Sequence, residues 1–469
     1  MFRKLTIRKM KIGFLILAGI ITLVSNAQIL RPALFVETDV KASAGKNAPF
    51  YSVSNKHGVF SDEKNTLLLR SGITAGIDTS KKISLSYGLD AIYRYGSESG
   101  IWLQQGYAHV KIHFLIIQGG IVEEAFGNQD DQLSSGAYLF SENARPMPKI
   151  ALYTNDYVIV PYTKNLLEIK GYFAHGWFGE KDQYVKNAWL HQKYFYIRIG
   201  EKRFPWSVNL GIHHTAVWGG TSPVYGSLRA DWEAFRSVFF ARMKGDQGPD
   251  NEQENAVGNH LASYSLGIDY TMKRHKLKFY WQTMLDDKNG RVGVDWKNKG
   301  DGLWGIVIQK RDDSNGLRKV GLEFFNSTSQ SGDPNFSGGD NYFNNYLYRS
   351  GWTYRDMTIG TPLITSPVFT NRTPEMQDYL ENNSLRALTA GIIYEFDEKQ
   401  VSIRLTYARN FGTIALPYEQ PRDQLYSLIG YNYYSRRYKD LMFSWEGAFD
   451  TGSHFGNNIG LLFRMRKTF

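Results

Sequence analysis

Residues 82–95 have the sequence KISLSYGLDAIYRY, and their alternation decides the fold class. From Ile83 to Tyr95 every second residue is apolar, whereas Asp90 and Arg94 lie on the opposite face. A period of two residues is typical of a β-strand that has one apolar and one polar face. The stretch therefore predicts a strand whose charged side chains all point to one side of a sheet.

The same alternation recurs along the chain in segments of about ten residues, which suits strands that cross a bilayer. The final segment, residues 458–469, has an apolar face and ends in Phe469. Because lipid leaves no partner for free backbone groups, such a sheet has to close on itself. We therefore predict an all-β transmembrane antiparallel β-barrel that forms one domain over residues 28–469. Its last strand pairs with residues 34–40, and Phe469 is the membrane insertion signal.

The N-terminal residues predict export. Five cations precede an apolar run at residues 12–24, and a small-residue cleavage site follows at residues 25–27. This order of regions predicts a signal peptide over residues 1–27. Its removal leaves 50 Lys and Arg against 45 Asp and Glu, so the formal net charge falls from +10 to about +5. The basic balance is therefore weak support for a nucleic-acid partner, and we expect none.

The spacing of the turns predicts the strand number. Short links occur near residues 79–82, 201–205, 273–276, 397–400 and 435–439, and long ones near residues 42–64, 219–259, 287–302 and 329–385. The count is sixteen if residues 101–118 form one strand, and eighteen if the chain turns near residues 111–114. Both counts are even, as bacterial barrels require. We prefer eighteen, because a strand needs only about ten residues to cross the membrane.

Two segments break the strand pattern. Residues 134–149, SSGAYLFSENARPMPK, have no alternation, and Pro146 favours an extended backbone at Arg145. We expect this segment to lie on the extracellular side as a lumen-filling loop or as an ordinary surface loop. Residues 225–243 carry apolar side chains at intervals of three and four, which predicts a short amphipathic extracellular helix. We expect this helix, around Trp232, to fill or cap the barrel together with residues 134–149.

The candidate chemistry for catalysis is sparse. Because the chain has no Cys, disulfides, thiolate metal sites and cysteine catalysis are excluded. His213 and His214 are adjacent on a strand, so they point to opposite faces and are expected to be ordinary lumen or interface residues. No spacing holds the loop acids Glu123, Glu124, Asp130 and Asp131 as a glycosidase pair, and we expect solvated charges. We therefore predict no enzyme, no metal site and no cofactor.

Four blocks between residues 107 and 220 carry a family resemblance. They are GNQDDQLSSGAYLFSENARPMPK, YTNDYVIVPYTKNLLEIKGYFAHGW, WLHQKYFYIRIGEK and GIHHTAVWGG. In their order and spacing they resemble the capsule assembly Wzi family in its Bacteroidetes-type form. The resemblance implies an 18-stranded outer-membrane barrel closed by loops and helical elements. It also implies a lectin-like protein that attaches or organises capsular or extracellular polysaccharide at the cell surface.

Sugar recognition uses aromatic faces beside polar groups that can bind hydroxyls or acidic sugars. We therefore predict candidate polysaccharide-binding residues near the outer rim: Asn143, Arg145, Lys149, Trp177, Trp218, Tyr225, Arg229 and Trp232. For Arg145 we favour a structural role, paired to an inward-facing carboxylate.

The expected partners are polysaccharide, outer-membrane lipids and the barrel-assembly machinery. We expect the protein to be a monomer. The alternative function is a diffusion porin for sugars or anions, and an outer-membrane hydrolase is a more distant third.

Overall fold

The computed structural model describes residues 28–97, 99–241, 257–285, 298, 300–330 and 340–469, so the predicted signal peptide lies outside the described ranges. Within these ranges eighteen long antiparallel strands form one closed barrel. The strands are β1 Ala33–Gly45, β2 Thr66–Ala75, β3 Ile83–Tyr95, β4 Gly100–Ile112, β5 Leu115–Ile121, β6 Pro148–Thr154, β7 Leu167–Gly179, β8 Ala188–Ile199, β9 Trp206–Trp218, β10 Asn259–Thr271, β11 His275–Gln282, β12 Gly302–Lys310, β13 Gly316–Asn326, β14 Ser384–Phe396, β15 Lys399–Gly412, β16 Pro417–Tyr434, β17 Leu441–Gly452 and β18 Asn458–Thr468.

Shorter elements accompany the barrel. The described helices are α1 Phe50–Val53, α2 Trp232–Phe240 and a 3-10 turn at Pro367–Phe369. Two-residue strands at Gln28–Ile29 and Val158–Ile159 extend the barrel sheet, and two small hairpins pair Thr221–Ser222 with Gly226–Ser227 and Thr353–Tyr354 with Met357–Thr358. Among the described residues no helix has the length and apolar composition needed to cross a bilayer.

The barrel closes where the sequence predicted. Strand β18 pairs antiparallel with β1, from Phe35 opposite Thr468 to Gly45 opposite Asn458. The backbone N–H of Phe469 donates to the carbonyl of Leu34 at 2.7 Å. The preferred count of eighteen is confirmed, because the chain turns at residues 113–114 and splits residues 101–118 into β4 and β5.

The two faces of the wall differ as the alternation requires. On β3, Leu89 and Tyr95 are exposed on the outside, whereas Asp90 and Arg94 are buried on the inside. Most strands repeat this arrangement, so the exterior carries a belt of apolar side chains and the interior carries the charges. Such a belt is stable against lipid, while the inward charges need partners inside the barrel.

The short and the long links predicted from the sequence lie at opposite ends of the barrel. One end has the links at residues 76–82, 113–114, 155–166, 200–205, 272–274, 311–315, 397–398 and 435–440. The predicted long links at residues 42–64, 219–259, 287–302 and 329–385 all lie at the other end, and parts of the last three lie outside the described residues. Because long loops are extracellular in bacterial barrels, this second end is the outer one.

The predicted helix is present, but it is shorter than predicted. It lies on the exterior of the barrel wall and not over the lumen. It begins after Asp231, whose side chain accepts from the N–H of Ala234 at 2.8 Å, and it ends at the left-handed Ala241. Its buried face, Ala234 and Val238, packs against Trp218 on the exterior of β9. The prediction that this helix fills or caps the lumen is therefore wrong, because its apolar face is satisfied on the outer wall.

Candidate functional site

The lumen is crossed by residues 126–147, named here the plug. Residues 133–139 are buried without interruption. At its inner end the plug is held by Glu323 on β13, which accepts from the Ser134 hydroxyl at 2.7 Å and from the Ser135 N–H at 2.8 Å. The Ser135 hydroxyl and Tyr280 on β11 donate to the same carboxylate. One buried carboxylate of the wall thus accepts hydrogen bonds from three groups of the plug.

The neighbouring strand β14 makes room for the plug with a glycine. A Cβ atom built on Gly391 of β14 would lie 2.8 Å from Cδ2 of Leu133. Because real side chains do not approach this closely, Gly391 lets the plug reach the wall. The lumen-filling alternative for residues 134–149 is therefore confirmed, and the surface-loop alternative is wrong.

A second segment, residues 340–383, covers the plug on the extracellular side and is named here the cap. The indole N–H of Trp352 donates to the carbonyl of Leu139 at 2.7 Å, and the Ser141 hydroxyl donates to the carbonyl of Gly360 at 2.6 Å. Trp352 is fully buried in the large apolar cluster that plug and cap share. Two layers of chain therefore fill the barrel.

A polar cavity remains in the periplasmic half, beneath the plug. It has a volume of about 260 Å³ and is lined by Gln129, Asp130, Asp131, Lys276, Lys278, Val307, Gln309 and Lys319. Lys319 pairs with Asp130 at 3.1 Å and with Asp131 at 2.7 Å, and Lys278 donates to the carbonyl of Gln129. The charges of this cavity are thus largely engaged with one another.

The four loop acids are engaged rather than merely solvated. Glu123 pairs with Arg70 at 3.0 Å, and Glu124 pairs with Lys149. Asp130 and Asp131 pair with Lys319 as above. The expectation of solvated loop charges is wrong, because three of these side chains sit among inward-facing cations. Only Asp131 is largely exposed.

The histidines behave as predicted. His213 faces the lumen, where Nε2 lies 3.1 Å from the Gln192 amide. His214 faces outward, and its Nε2 lies 2.9 Å from Nδ1 of His260. The opposite orientation of the pair is therefore confirmed. Within the part of the chain that the structure describes, no group of three or more His, Asp or Glu side chains is arranged to hold a metal ion.

Two of the predicted sugar-binding residues are buried in the lumen. Asn143 is fully buried, and its amide donates to the Thr358 carbonyl at 3.0 Å and to the Ser366 hydroxyl at 3.2 Å. Lys149 is also buried; its ammonium pairs with Glu124 and lies 4.8 Å from the centre of the Phe140 ring. Both polar heads are satisfied by protein groups. A sugar-binding role for these two residues stays a prediction that the geometry does not favour.

Arg145 lies half-buried at the extracellular end of the plug. Its Nε–H donates to the carbonyl of Gly58 at 3.3 Å, and its guanidinium lies 4.1 Å from the centre of the Trp102 ring. Among the described residues no carboxylate pairs with it, so the predicted carboxylate partner is wrong. Gly58 has φ of +60° and a Cβ there would lie 2.6 Å from Cγ of Arg145, so only glycine allows this approach.

The remaining candidates lie on or near the outer wall. Trp218 is buried against Trp189, with ring centres 4.8 Å apart, and Trp177 lies on the same wall beside His175. Trp232 on α2 is 70% exposed and stacks on Phe235. The structure therefore brings Trp177, Trp218 and Trp232 into one aromatic region, on the other side of the wall from Arg145.

Tyr225 and Arg229 lie in the link that leads to α2. Tyr225 is exposed at the tip of a small hairpin. Arg229 pairs with Asp231 at 3.0 Å and with Glu233 at 3.5 Å. The guanidinium of Arg229 thus supports the start of the helix, while the Tyr225 ring remains accessible.

Sequence reasoning missed Trp102 and Arg355. Trp102 projects inward near the extracellular end of β4, beside the buried Ile92 and Leu68. A large aromatic residue on the otherwise polar inward face was the available signal. Arg355 follows Tyr354 in the cap and has a left-handed backbone with φ of 54°. Nothing in its local sequence marks it.

The chain is similar to known proteins in sequence and in fold. A family model described as capsule assembly protein Wzi matches residues 37–364. No curated protein sequence matches the chain. Among solved structures, an Escherichia coli protein shares the fold at a TM-score of 0.63 and 13% identity, over 92% of this chain and 83% of that chain. That protein, Wzi, is described as an outer membrane protein involved in group 1 capsule assembly and as a carbohydrate-binding β-barrel.

Other barrels are more distant. OccK5 (OpdH) of Pseudomonas aeruginosa is 10% identical, with a TM-score of 0.49 over 93% of this chain and 97% of that chain. OccAB2 of Acinetobacter baumannii is also 10% identical, with a TM-score of 0.49 over 94% of this chain and 98% of that chain. At these values neither bears on function.

Proposed function

The chain belongs to the capsule assembly protein Wzi family, and from this premise we propose that it attaches or organises capsular or extracellular polysaccharide at the cell surface. Its place is the outer membrane, where the apolar exterior of the closed barrel contacts lipid. The E. coli relative is described as carbohydrate-binding. We propose the same property, a lectin-like role, for this chain.

The observation that supports this role best is the filled lumen. The plug is anchored to Glu323, and the cap is bonded to the plug through Trp352 and Ser141. A barrel of this size would otherwise enclose an aqueous channel. Because plug and cap occupy that space, the protein is suited to present a surface to a polymer, and the diffusion-porin alternative is disfavoured.

Catalysis is not part of the proposal. A glycosidase needs two carboxyl groups roughly 5–9 Å apart, one that acts as the acid and one that acts as nucleophile or base. Glu123, Glu124, Asp130 and Asp131 are instead held in ion pairs with lumen cations. We propose a binding protein without enzymatic activity and without a cofactor.

We further propose that the polymer contacts the extracellular end through exposed groups. Trp177, Tyr225 and Trp232 offer aromatic faces, and Arg145 offers a half-buried guanidinium. The other four candidates are engaged with protein groups: Trp218 packs against Trp189, Asn143 is hydrogen-bonded to the cap, and Arg229 and Lys149 form ion pairs. Barrel assembly would use Phe469, whose ring is 69% exposed at the end of β18, and we expect a monomer.

Binding of the purified protein to polysaccharide extracted from the surface of its own cells tests the proposal. We expect saturable binding by the folded barrel in detergent and none by the heat-unfolded protein. A folded barrel that binds no polysaccharide of its own cell surface would contradict the lectin-like role.

A further inference from the structure

The extracellular end of the lumen contains a cluster of cations around Trp102. The guanidinium of Arg145 lies 4.1 Å from the centre of the Trp102 ring, and that of Arg94 lies 5.5 Å from it. Arg355, in the cap, is a further cation, and its positive charge acts against the charged form of Arg145. Two arginines, one from β3 and one from the plug, therefore lie against the Trp102 ring, and the cap adds the positive charge of Arg355.

The acids near this cluster compensate only part of its charge. Arg94 lies 3.8 Å from Glu63. Within the described residues neither Arg145 nor Arg355 makes an ion pair. Asp182 and Asp356 act on the cluster only at longer range, and Asp356 accepts a hydrogen bond from the Tyr379 hydroxyl at 2.5 Å.

This environment disfavours the charged form of Arg145. Burial lowers the pKa of Arg145 to about 10, and the neighbouring cations Arg94 and Arg355 act in the same direction. A half-buried guanidinium without a carboxylate partner is costly for the folded protein. An anion from outside that bound here would relieve both the burial and the repulsion.

The guanidinium is also presented in a fixed orientation. Pro146 restricts the backbone of Arg145. The Trp102 ring packs against one face of the guanidinium, and the carbonyl of Gly58 accepts the hydrogen bond from Nε. The two terminal nitrogens Nη1 and Nη2 make no hydrogen bond to described protein groups. A planar carboxylate accepts two parallel bonds from such a pair.

We propose that Arg145 and Arg355, with Trp102 as a positioning residue, form a subsite for the carboxylate of an acidic sugar in the bound polysaccharide. The proposal rests on the polysaccharide-binding function proposed above and specifies its substrate class. Arg145 supplies the paired N–H donors, and Arg355 supplies a second positive charge from the cap.

The test compares polysaccharide purified from the native cell surface with the same material after chemical reduction of its carboxyl groups to alcohols. We expect the intact protein to bind the native polymer about 10- to 100-fold more tightly than the reduced one, as loss of charge-assisted hydrogen bonds implies. Arg145→Gln should abolish this preference, and Arg145→Lys should reduce it, because lysine keeps the charge but loses the paired donors.

Two further variants separate binding from folding. Arg355→Gln should also lower the preference, although Arg355 makes no hydrogen bond to the plug. Arg372→Gln is the matched control, since Arg372 is a half-buried cap arginine paired with Glu381 at 3.5 Å. This variant should prefer the native over the reduced polymer as strongly as the unmodified protein does. Each variant's thermal unfolding is measured alongside.

The outcomes are distinguishable. Binding of native and reduced polymer with equal affinity, or an unchanged preference in folded Arg145→Gln, overturns the subsite while the lectin-like function stands. No binding of either polymer by the folded protein overturns both.

Discussion

Glu323 is a buried acid on the barrel wall that holds the plug, and its oxygens accept from Ser134, Ser135 and Tyr280. Glu323→Gln replaces one acceptor oxygen by an NH2 group, so buried hydroxyl groups lose an acceptor for their hydrogens. We expect the plug to be destabilised by about 1–3 kcal/mol. Chymotrypsin cleavage after Tyr138, which is fully buried in the intact protein, should become correspondingly faster.

Glu395→Gln is the control for that measurement. Glu395 lies near the periplasmic end of β14, is partly exposed and pairs with Arg318 on the barrel wall. Its substitution should leave the cleavage rate at Tyr138 unchanged. Equal cleavage rates in the two variants would remove Glu323 as the anchor of the plug.

Asp62 makes part of the extracellular surface sensitive to pH. Its carboxylate accepts from the N–H of Ala48 at 2.6 Å, and burial raises its pKa from 3.8 to about 6. The folded loop therefore holds a proton that the unfolded loop releases, so its stability falls as pH rises from about 4 to about 6. Hydrogen exchange of residues 46–53, corrected for intrinsic rates, should increase over this window.

Asp62→Asn should make that exchange independent of pH, because the amide does not titrate. Asp131→Asn, at a largely exposed acid, should retain the original profile. A profile that is flat in the unmodified protein would contradict the assignment to Asp62.

Arg145 illustrates what the sequence can and cannot determine for one residue. The proline that follows it favours an extended backbone at Arg145, and this stays a prediction. Its contacts were not predictable, because Gly58 and Trp102 lie 87 and 43 residues away along the chain. Which side chain meets a loop residue depends on how three separate segments fold over one another.

Helix α2 shows the same limit for an element. Spacing at three and four residues predicted a helix over residues 225–243, and its type is confirmed. Its start is later because a hairpin occupies residues 221–227, and Leu228 turns into the lumen cluster instead. The alternation of short and long links predicted that this segment lies on the extracellular side. It gave no information on which surface of the barrel would cover the apolar face of the helix.

The packing of α2 on β9 gives a test at this scale. Val238 is fully buried against the exterior wall, and Val238→Asp removes about 1.5–3 kcal/mol of apolar burial and places a charge there. We expect residues 232–240 to exchange amide hydrogens faster while the barrel stays folded.

Arg236→Asp is the matched control, because Arg236 points to solvent from the same helix. It introduces the same residue without loss of burial and should leave the exchange unchanged. Protection of residues 232–240 in Val238→Asp equal to that in the control would mean that the wall does not hold the helix.

At the scale of the whole molecule, strand number and closure were predictable because lipid imposes alternation, even counts and the absence of free edges. The filling of the lumen was less predictable from the sequence. Residues 134–149 lacked a strand pattern, but whether such a segment turns inward depends on distant groups. Glu323 and Gly391, which receive the plug, lie in strands β13 and β14 and carry no local mark of that role.

The filled lumen also makes the sharpest distinction between a surface protein and a porin. In planar bilayers we expect the intact protein to show no steady open conductance, since plug and cap occupy the lumen together. Replacing residues 126–147 by a short Gly-Ser link should open it. The cap would lose its bonds to Leu139, Ser141 and Asn143 and could no longer hold its position.

A shortened hairpin at residues 221–227 serves as the control for the plug deletion. This hairpin precedes the helix on the exterior wall and makes no contribution to the apolar cluster between plug and cap. Its variant should stay silent in the same bilayers, which would show that loss of extracellular chain alone does not create a channel. Large and steady conductance in the intact protein would instead mean that plug and cap leave a continuous aqueous path. The barrel would then act as a diffusion channel, and its surface role would have to rest on polysaccharide binding alone.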